Sequence, residues 1–307
     1  MSKIAFIYPG QGAQKVGMGK DFYEMGELAK QVFDRAEELL DFSVIHTCFE
    51  ENEDINNTAY TQACLVTTCL AMTAELVDRG VRPDVTAGLS LGEYAAIAAA
   101  GGMTNEEAIT TVRQRGIFMN EAVPGGAGSM AAVLGMSGEQ VEQVVDGMED
   151  VTVANYNCPG QIVITGMKEG VEKASEVLKE QGAKRVLPLN VSGPFHSPFL
   201  AEAGEKLGKV LEQVELKPLT IPYVTNVTAE YVTDIGQTKE LLTKQVSSSV
   251  RWEQSIRNMI AEGVDTFIEV GPGRTLAGFM KKIDKTVKMY NVASFEDIQK
   301  VVEELAC

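Results

Sequence analysis

Apolar positions along the chain switch between a strand-like and a helical period. The first run, Lys3 to Tyr8 (KIAFIY), reads as a strand and passes into a glycine-rich loop, Pro9 to Gln14. Helical spacing follows around Asp21 to Leu40 and Thr61 to Arg79. An extended run, DVTA, then leads into AGLSLGEYAA and a helix of small residues. Thr104 to about Ala122 is predicted as a helix opened by a capping box, since Thr104 and Glu107 have the required spacing. The glycines and proline of Val123 to Gly128 (VPGGAG) break the pattern and mark a hinge or boundary.

The next segment follows its own order. SMAAVLG predicts a strand and SGEQVEQVVDGM a helix starting at Ser137. VTVANYN and QIVITG are strands joined by a turn at Pro159 and Gly160; KEGVEKASEVLKEQG is a helix and AKRVLPLN a strand. That order is βαββαβ, a ferredoxin-like split unit. Pro124 to Val191 is therefore expected to be a small inserted subdomain, dividing the chain into 1–123, 124–191 and 192–307. Afterwards a strand (Asp265 to Val270), a GPGR turn and a helix (TLAGFMKKI) resume the earlier alternation. The class is α/β, with a mostly parallel sheet carrying helices on both faces.

Composition narrows the function. With 307 residues, 45% hydrophobic and 23% charged, the chain has an ordinary globular make-up. A net charge of -16 argues against nucleic acid and acidic membrane surfaces as partners. No apolar run is long enough to span a membrane, and KIAFIY is too short for a signal peptide. The five cysteines (Cys48, Cys64, Cys69, Cys158 and Cys307) form no Cys-x-x-Cys pair, which argues for a reducing, cytoplasmic setting. Two histidines, His46 and His196, speak against a histidine-based metal site.

Gly88, Ser90 and Gly92 satisfy Gly-x-Ser-x-Gly between a predicted strand and a predicted helix. There the serine of a nucleophile elbow sits on a sharp turn with its hydroxyl exposed, and small neighbours (Ala87, Ala95, Ala96) let strand and helix approach. The bland alternative is a helix-capping serine. A serine nucleophile needs a base. His46 lies in a helix-like stretch, whereas His196 lies in a loop between two prolines (GPFHSP), a rigid place from which to project a ring. An unperturbed imidazole would lose its base form at about pH 6 to 7. Oxyanion donors in this geometry are the backbone amides of Leu91, after the serine, and of Gln11, in PGQGAQ. That loop lacks the spacing of a P-loop or dinucleotide fingerprint. On the helix from Thr104, Arg115 falls on the apolar face with Ala108, Val112, Gly116 and Met119, and Arg113 at its edge. A buried guanidinium needs an anion, either an internal carboxylate or a substrate carboxylate gripped by two parallel hydrogen bonds.

PGQGAQ, GLSLGEY, RQRG, ANYNCPGQ, GPFHSP and EVGPG occur in this order across nearly the whole chain. Together they resemble the malonyl-CoA:acyl-carrier-protein transacylase family. The resemblance implies an α/β-hydrolase-like core interrupted by a ferredoxin-like subdomain, with the site between them. It implies that Ser90 takes malonyl from CoA as an ester and passes it to the phosphopantetheine thiol of an acyl carrier protein. No cofactor of its own is implied: CoA is part of the substrate and phosphopantetheine belongs to the partner. His196 would be base and then acid. Arg115 would hold the malonyl carboxylate, Phe195 would restrict branching beside it, and Asn155 and Asn157 would lie near the site. The carbonyl of Gln245 would orient the histidine. The chain is expected to act as a monomer in fatty acid synthesis. Two positions depart from the family pattern: Leu89 stands where a histidine is usual, and Ser249 where a proline is common. An esterase or thioesterase would share Ser90 and His196 without needing Arg115; a non-catalytic carrier-binding protein would need none of them. The basic run Arg274 to Lys288 is a candidate carrier-docking patch.

Overall fold

The strand-forming runs assemble into two sheets. The computed structural model describes residues 2–123, 125–191 and 193–305, so the expected boundary residues Pro124 and Ser192, and Cys307, lie outside the described residues. The strands are β1 (Ile4–Tyr8), β2 (Val85–Gly88), β3 (Gly128–Leu134), β4 (Val151–Cys158), β5 (Gln161–Met167), β6 (Arg185–Pro188), β7 (Tyr223–Val224), β8 (Tyr231–Val232), β9 (Thr266–Val270) and β10 (Lys288–Val292).

The larger sheet has the order β10-β9-β1-β2-β7-β8 and is parallel except for the β7–β8 hairpin at its edge. Its central strand, β1, is buried along Ala5 to Tyr8, as a parallel strand covered on both faces must be. The alternation of side chains splits it between two cores. Phe6 and Tyr8 face the helix Thr58–Asp78, while Ala5 and Ile7 face the helices Trp252–Ala261 and Thr275–Ile283. The helix Thr58–Asp78 is buried nearly all round, which is why it is apolar on every side.

The smaller sheet is antiparallel, in the order β4-β5-β3-β6. Its elements follow the predicted β-α-β-β-α-β order, with helices Gly138–Val145 and Lys168–Glu180. Ala131, Val133, Ile162 and Ile164 pack under those helices. Met130, Ala132, Ala154 and Val163, on the opposite face, pack toward the larger body. The two bodies are joined by more than chain connections. The Tyr156 amide donates to the Val250 carbonyl (2.9 Å) and the Val250 amide to the Ala154 carbonyl (2.7 Å). The Ser249 hydroxyl donates to the Val153 carbonyl (2.6 Å), a bond that a proline at this position could not make.

One expected element is broken. Asp21 to Leu40 forms two helices, Lys20–Met25 and Glu27–Leu39, separated by Gly26 in an extended conformation. A Cβ on Gly26 would collide with the Glu75 carboxylate, which accepts from the amides of Leu28 and Ala29 (2.9 and 3.0 Å). The cap of the second helix thus comes from a distant helix, and no local pattern encodes it. The predicted capping box at Thr104 forms, and the helix predicted to start at Ser137 opens on a second one, with Gln140. No helix among the described residues is long and apolar enough to cross a membrane.

Candidate active site

β2 ends at Gly88 and the next helix, Gly92–Ala99, begins four residues later, so the chain must turn sharply at Ser90. Ser90 has φ 54°, in the left-handed region that a serine rarely occupies. The flanking glycines are sterically required. A Cβ on Gly88 would collide with the Gly92 carbonyl, and one on Gly92 would lie 2.5 Å from the Tyr8 carbonyl. The strained turn is held by long-range bonds. The Ser90 amide donates to Asn226 Oδ1 (2.6 Å), and Asn226 Nδ2 donates to the Gly88 carbonyl (2.7 Å). The Ser90 carbonyl accepts from Gln245 Nε2 (3.0 Å). Ser90 does not cap the helix: its Oγ lies 2.7 Å from His196 Nε2.

His196 is buried in the loop after β6 and also has a left-handed φ, 59°. Its Nδ1 lies 2.9 Å from the main-chain carbonyl of Gln245. A carbonyl only accepts, so Nδ1 carries the ring proton and Nε2 presents its lone pair to the serine hydroxyl. Burial, and then the nearby Arg115 cation, hold the ring down to about 4. This corrects the expectation that the base would be lost at pH 6 to 7: the ring stays neutral well below that. His46 is exposed on the short helix Val44–Phe49, where Ser43 caps its amide, and is remote from this constellation.

Arg115 is fully buried, as its helical phase predicts. It donates through Nη1 to Gln62 Oε1 (2.6 Å), and through Nη2 to Gln245 Oε1 (3.0 Å) and Ser90 Oγ (3.2 Å). These hydrogen-bond partners are neutral, and Nε has none among the described residues. Burial lowers its pKa. Arg113, placed at the edge of the helix face, is buried as well. It forms two bonds to Asp41 (2.8 and 2.9 Å) and stacks over Phe42 and Tyr60. The carboxylate of Asp41 is exposed and pairs with Arg113, whereas the internal carboxylate nearest Arg115 in charge terms is Glu93, which does not hydrogen-bond it directly.

Gln11, Ser90, Asn155, Asn157, Phe195 and His196 line one cleft of about 190 Å³, with Leu89 also at its wall. Asn155 and Asn157 come from one face of β4, and Asn157 Oδ1 has no hydrogen-bond partner among the described residues. The amides of Gln11 and Leu91 are likewise unengaged among the described residues. Leu91 lies buried at the start of the helix after Ser90. Leu89 packs against the core of the larger sheet and over Gly10. Thr275, Leu276 and Phe279 of the helix Thr275–Ile283 complete the wall, while Lys281 and Lys282 at its other end are exposed.

Sequence reasoning missed three residues that hold this arrangement: Gln62, Glu93 and Asn226. Glu93 is fully buried, and its Oε2 accepts from Gln245 Nε2 (2.6 Å) and the Asn226 amide (3.1 Å). Burial pushes its carboxyl up to about 7. The available signal was a lone acid in an otherwise apolar helix, GEYAAIAA. Gln62 was equally conspicuous as a large amide on an almost wholly buried helix. Nothing in the loop around Asn226 marked it.

A strained serine at a strand–helix turn, paired with a neutral imidazole, has the geometry that acyl transfer by a serine nucleophile requires. The chain belongs to the acyl transferase domain family, whose pattern matches residues 5–300, and it is an acyltransferase. It is 48% identical over 310 residues to the malonyl CoA-acyl carrier protein transacylase of Bacillus subtilis (strain 168), covering 99% of this chain and 98% of that one. It is 41% identical over 304 residues to the protein of the same name from Staphylococcus aureus (strain MRSA252), covering 97% and 98%. The crystal structure of the malonyl CoA-acyl carrier protein transacylase from Clostridium perfringens superposes with a TM-score of 0.96 at 42% identity, covering 99% of this chain and 98% of that one. A malonyl-transacylase in complex with its type II PKS acyl-carrier protein superposes with a TM-score of 0.96 at 34% identity, covering 99% and 100%. These structures share the mixed α/β architecture of a parallel-rich sheet and a separate antiparallel sheet.

Proposed function

We propose that the chain transfers a malonyl group from malonyl-CoA to the phosphopantetheine thiol of an acyl carrier protein, through an ester on Ser90, to supply fatty acid synthesis in the cytoplasm. The observation that carries this reading is the convergence on one oxygen: Ser90 Oγ lies 2.7 Å from His196 Nε2 and 3.2 Å from Arg115 Nη2. Ser90 Oγ attacks the thioester carbonyl as its proton passes to His196 Nε2. The free amides of Leu91 and Gln11 receive the oxyanion. Collapse breaks the C–S bond, and His196 returns the proton to the departing CoA sulfur. The carrier thiol then reverses these steps, giving its proton to His196 and taking the malonyl group. No cofactor enters either half.

Arg115, whose Nη2 lies 3.2 Å from Ser90 Oγ, grips the malonyl carboxylate, and Phe195 in the cleft wall crowds a branch at the α-carbon. Asn155 and Asn157 supply polar contacts along the cleft. The Gln245 carbonyl takes the orienting role that a carboxylate fills in many serine hydrolases. In this reading the larger body is α/β-hydrolase-like and the smaller one ferredoxin-like, with the order β4-β5-β3-β6 as support. The exposed basic run Arg274, Lys281, Lys282, Lys285 and Lys288 of an otherwise acidic chain, which starts next to Thr275 in the cleft wall, receives the carrier.

Brief incubation with malonyl-CoA and no acceptor, followed by intact mass measurement, should add one malonyl group, absent in Ser90→Ala. An unmodified wild type, or a modified Ser90→Ala, refutes the ester.

A further inference from the structure

We propose that Glu93 is a positioning residue which, through the side chain of Gln245, sets the edge that Arg115 offers to the substrate carboxylate. The inference rests on the malonyl-transfer reading and adds a residue that touches neither substrate nor reacting atoms. It follows from the polarity of one amide. Glu93 Oε2 already accepts from the Asn226 amide (3.1 Å), so it is an acceptor whatever the charge on the carboxyl, and Gln245 must turn its Nε2 toward it (2.6 Å). The Ser90 carbonyl demands the same end (3.0 Å). Gln245 Oε1 is thereby forced to face Arg115 Nη2 (3.0 Å), while Gln62 Oε1 holds Nη1 (2.6 Å). The guanidinium is pinned from two sides and its Nε stays without a partner.

Removing the acceptor at position 93 leaves Gln245 Nε2 with the Ser90 carbonyl alone. The amide is then held at that end by one bond where it had two, and Arg115 loses part of what fixes its edge. The proton-transfer pair is less exposed to this change. His196 is held by the main-chain carbonyl of Gln245, which does not move with the side chain (2.9 Å). The asymmetry separates positioning from general damage, because an acyl group with a carboxylate must suffer more than one without.

The test uses the full chain with two substitutions. Glu93→Leu removes both acceptor oxygens, and the near-isosteric Glu93→Gln keeps one. The readout is kcat/KM for malonyl-CoA and for acetyl-CoA with a thiol acceptor. The malonyl-to-acetyl ratio should fall about tenfold or more in Glu93→Leu and by a smaller factor in Glu93→Gln. With Arg115→Ala already in place, Glu93→Leu should lower the malonyl-to-acetyl ratio no further, since a loss through Asn226 and the serine turn falls on both acyl groups alike. A ratio unchanged within about twofold, in whichever Glu93 variant keeps a wild-type melting profile, overturns the proposal. So does a change in the ratio that simply adds to that of Arg115→Ala. Wild type that transfers neither acyl group would sink the functional reading itself; wild-type transfer with an unchanged ratio sinks the role of Glu93 alone.

Discussion

Glu93→Gln also tests the electrostatics of the site at equilibrium, without turnover. Glu93 titrates at 4.5 when unperturbed and at about 7 in the folded chain. As pH falls below 7 the native state takes up a proton that the unfolded chain refuses until about 4.5, so Glu93 adds stability on acidification. At 1.36 kcal/mol per pH unit that window is worth about 3 kcal/mol. His196 runs the other way, from 6.5 unperturbed to about 4 in the folded chain, and removes about 3 kcal/mol as pH falls through its window. Between 4.5 and 6.5 the native state holds its proton on the glutamate, and the unfolded chain holds one on the histidine. The proton counts match, and the pair gives almost no slope. Glutamine at 93 cannot titrate and exposes the histidine. The assay is urea unfolding followed by circular dichroism at several pH values from about 8 to 4.5. The stability difference between wild type and Glu93→Gln should grow in wild type's favour by about 3 kcal/mol over that range, because all other carboxylates are common to both. A difference that stays constant with pH refutes the argument.

Three further outcomes follow from the same geometry. Gly88→Ala should leave little folded protein, since its Cβ meets the Gly92 carbonyl; a melting temperature equal to wild type would show that the turn can open. Formation of the acetyl-enzyme, which involves no substrate carboxylate, should hold its rate from about pH 8 down to about pH 5, and a midpoint near 6.5 in stopped-flow measurements would show that burial does not depress His196. Reversing Lys281 and Lys282 to glutamate should raise the apparent KM for the carrier and leave acyl-enzyme formation from CoA unchanged; equal carrier kinetics would remove the patch from the docking surface.

Much of this molecule is written locally. The apolar run of β1, the capping boxes at Thr104 and Ser137, and the βαββαβ order are each decided within a few turns of chain, where side-chain period and cap chemistry act directly. The buried face of Arg115 was legible for the same reason, because helical phase is a local property. The break at Gly26 was not. Its cause is the Glu75 carboxylate, supplied by a different helix, and within the sequence Gly26 looks like a tolerable glycine inside a helix. The short strands β7 and β8, two residues each, also left no readable period.

The site divides along the same line, and the division has a physical cause. Three non-glycine residues among those described have left-handed φ: Ser90, His196 and Ala229. At Ser90 the sequence displays the steric consequence, because the glycines that let the strand and helix meet must sit two positions away. At His196 the flanking prolines hint at a stiff loop but do not announce its conformation. What holds both residues in these costly conformations comes from elsewhere in the chain: Asn226 and Gln245 at Ser90, and the Gln245 carbonyl at His196. Asn226 and Gln245 in turn meet at Glu93, a residue inside the serine motif itself. The motif therefore carries its nucleophile and one anchor of the network that supports it, three residues apart on one turn of chain. The other anchors lie on different elements, and only folding brings them within hydrogen-bond reach.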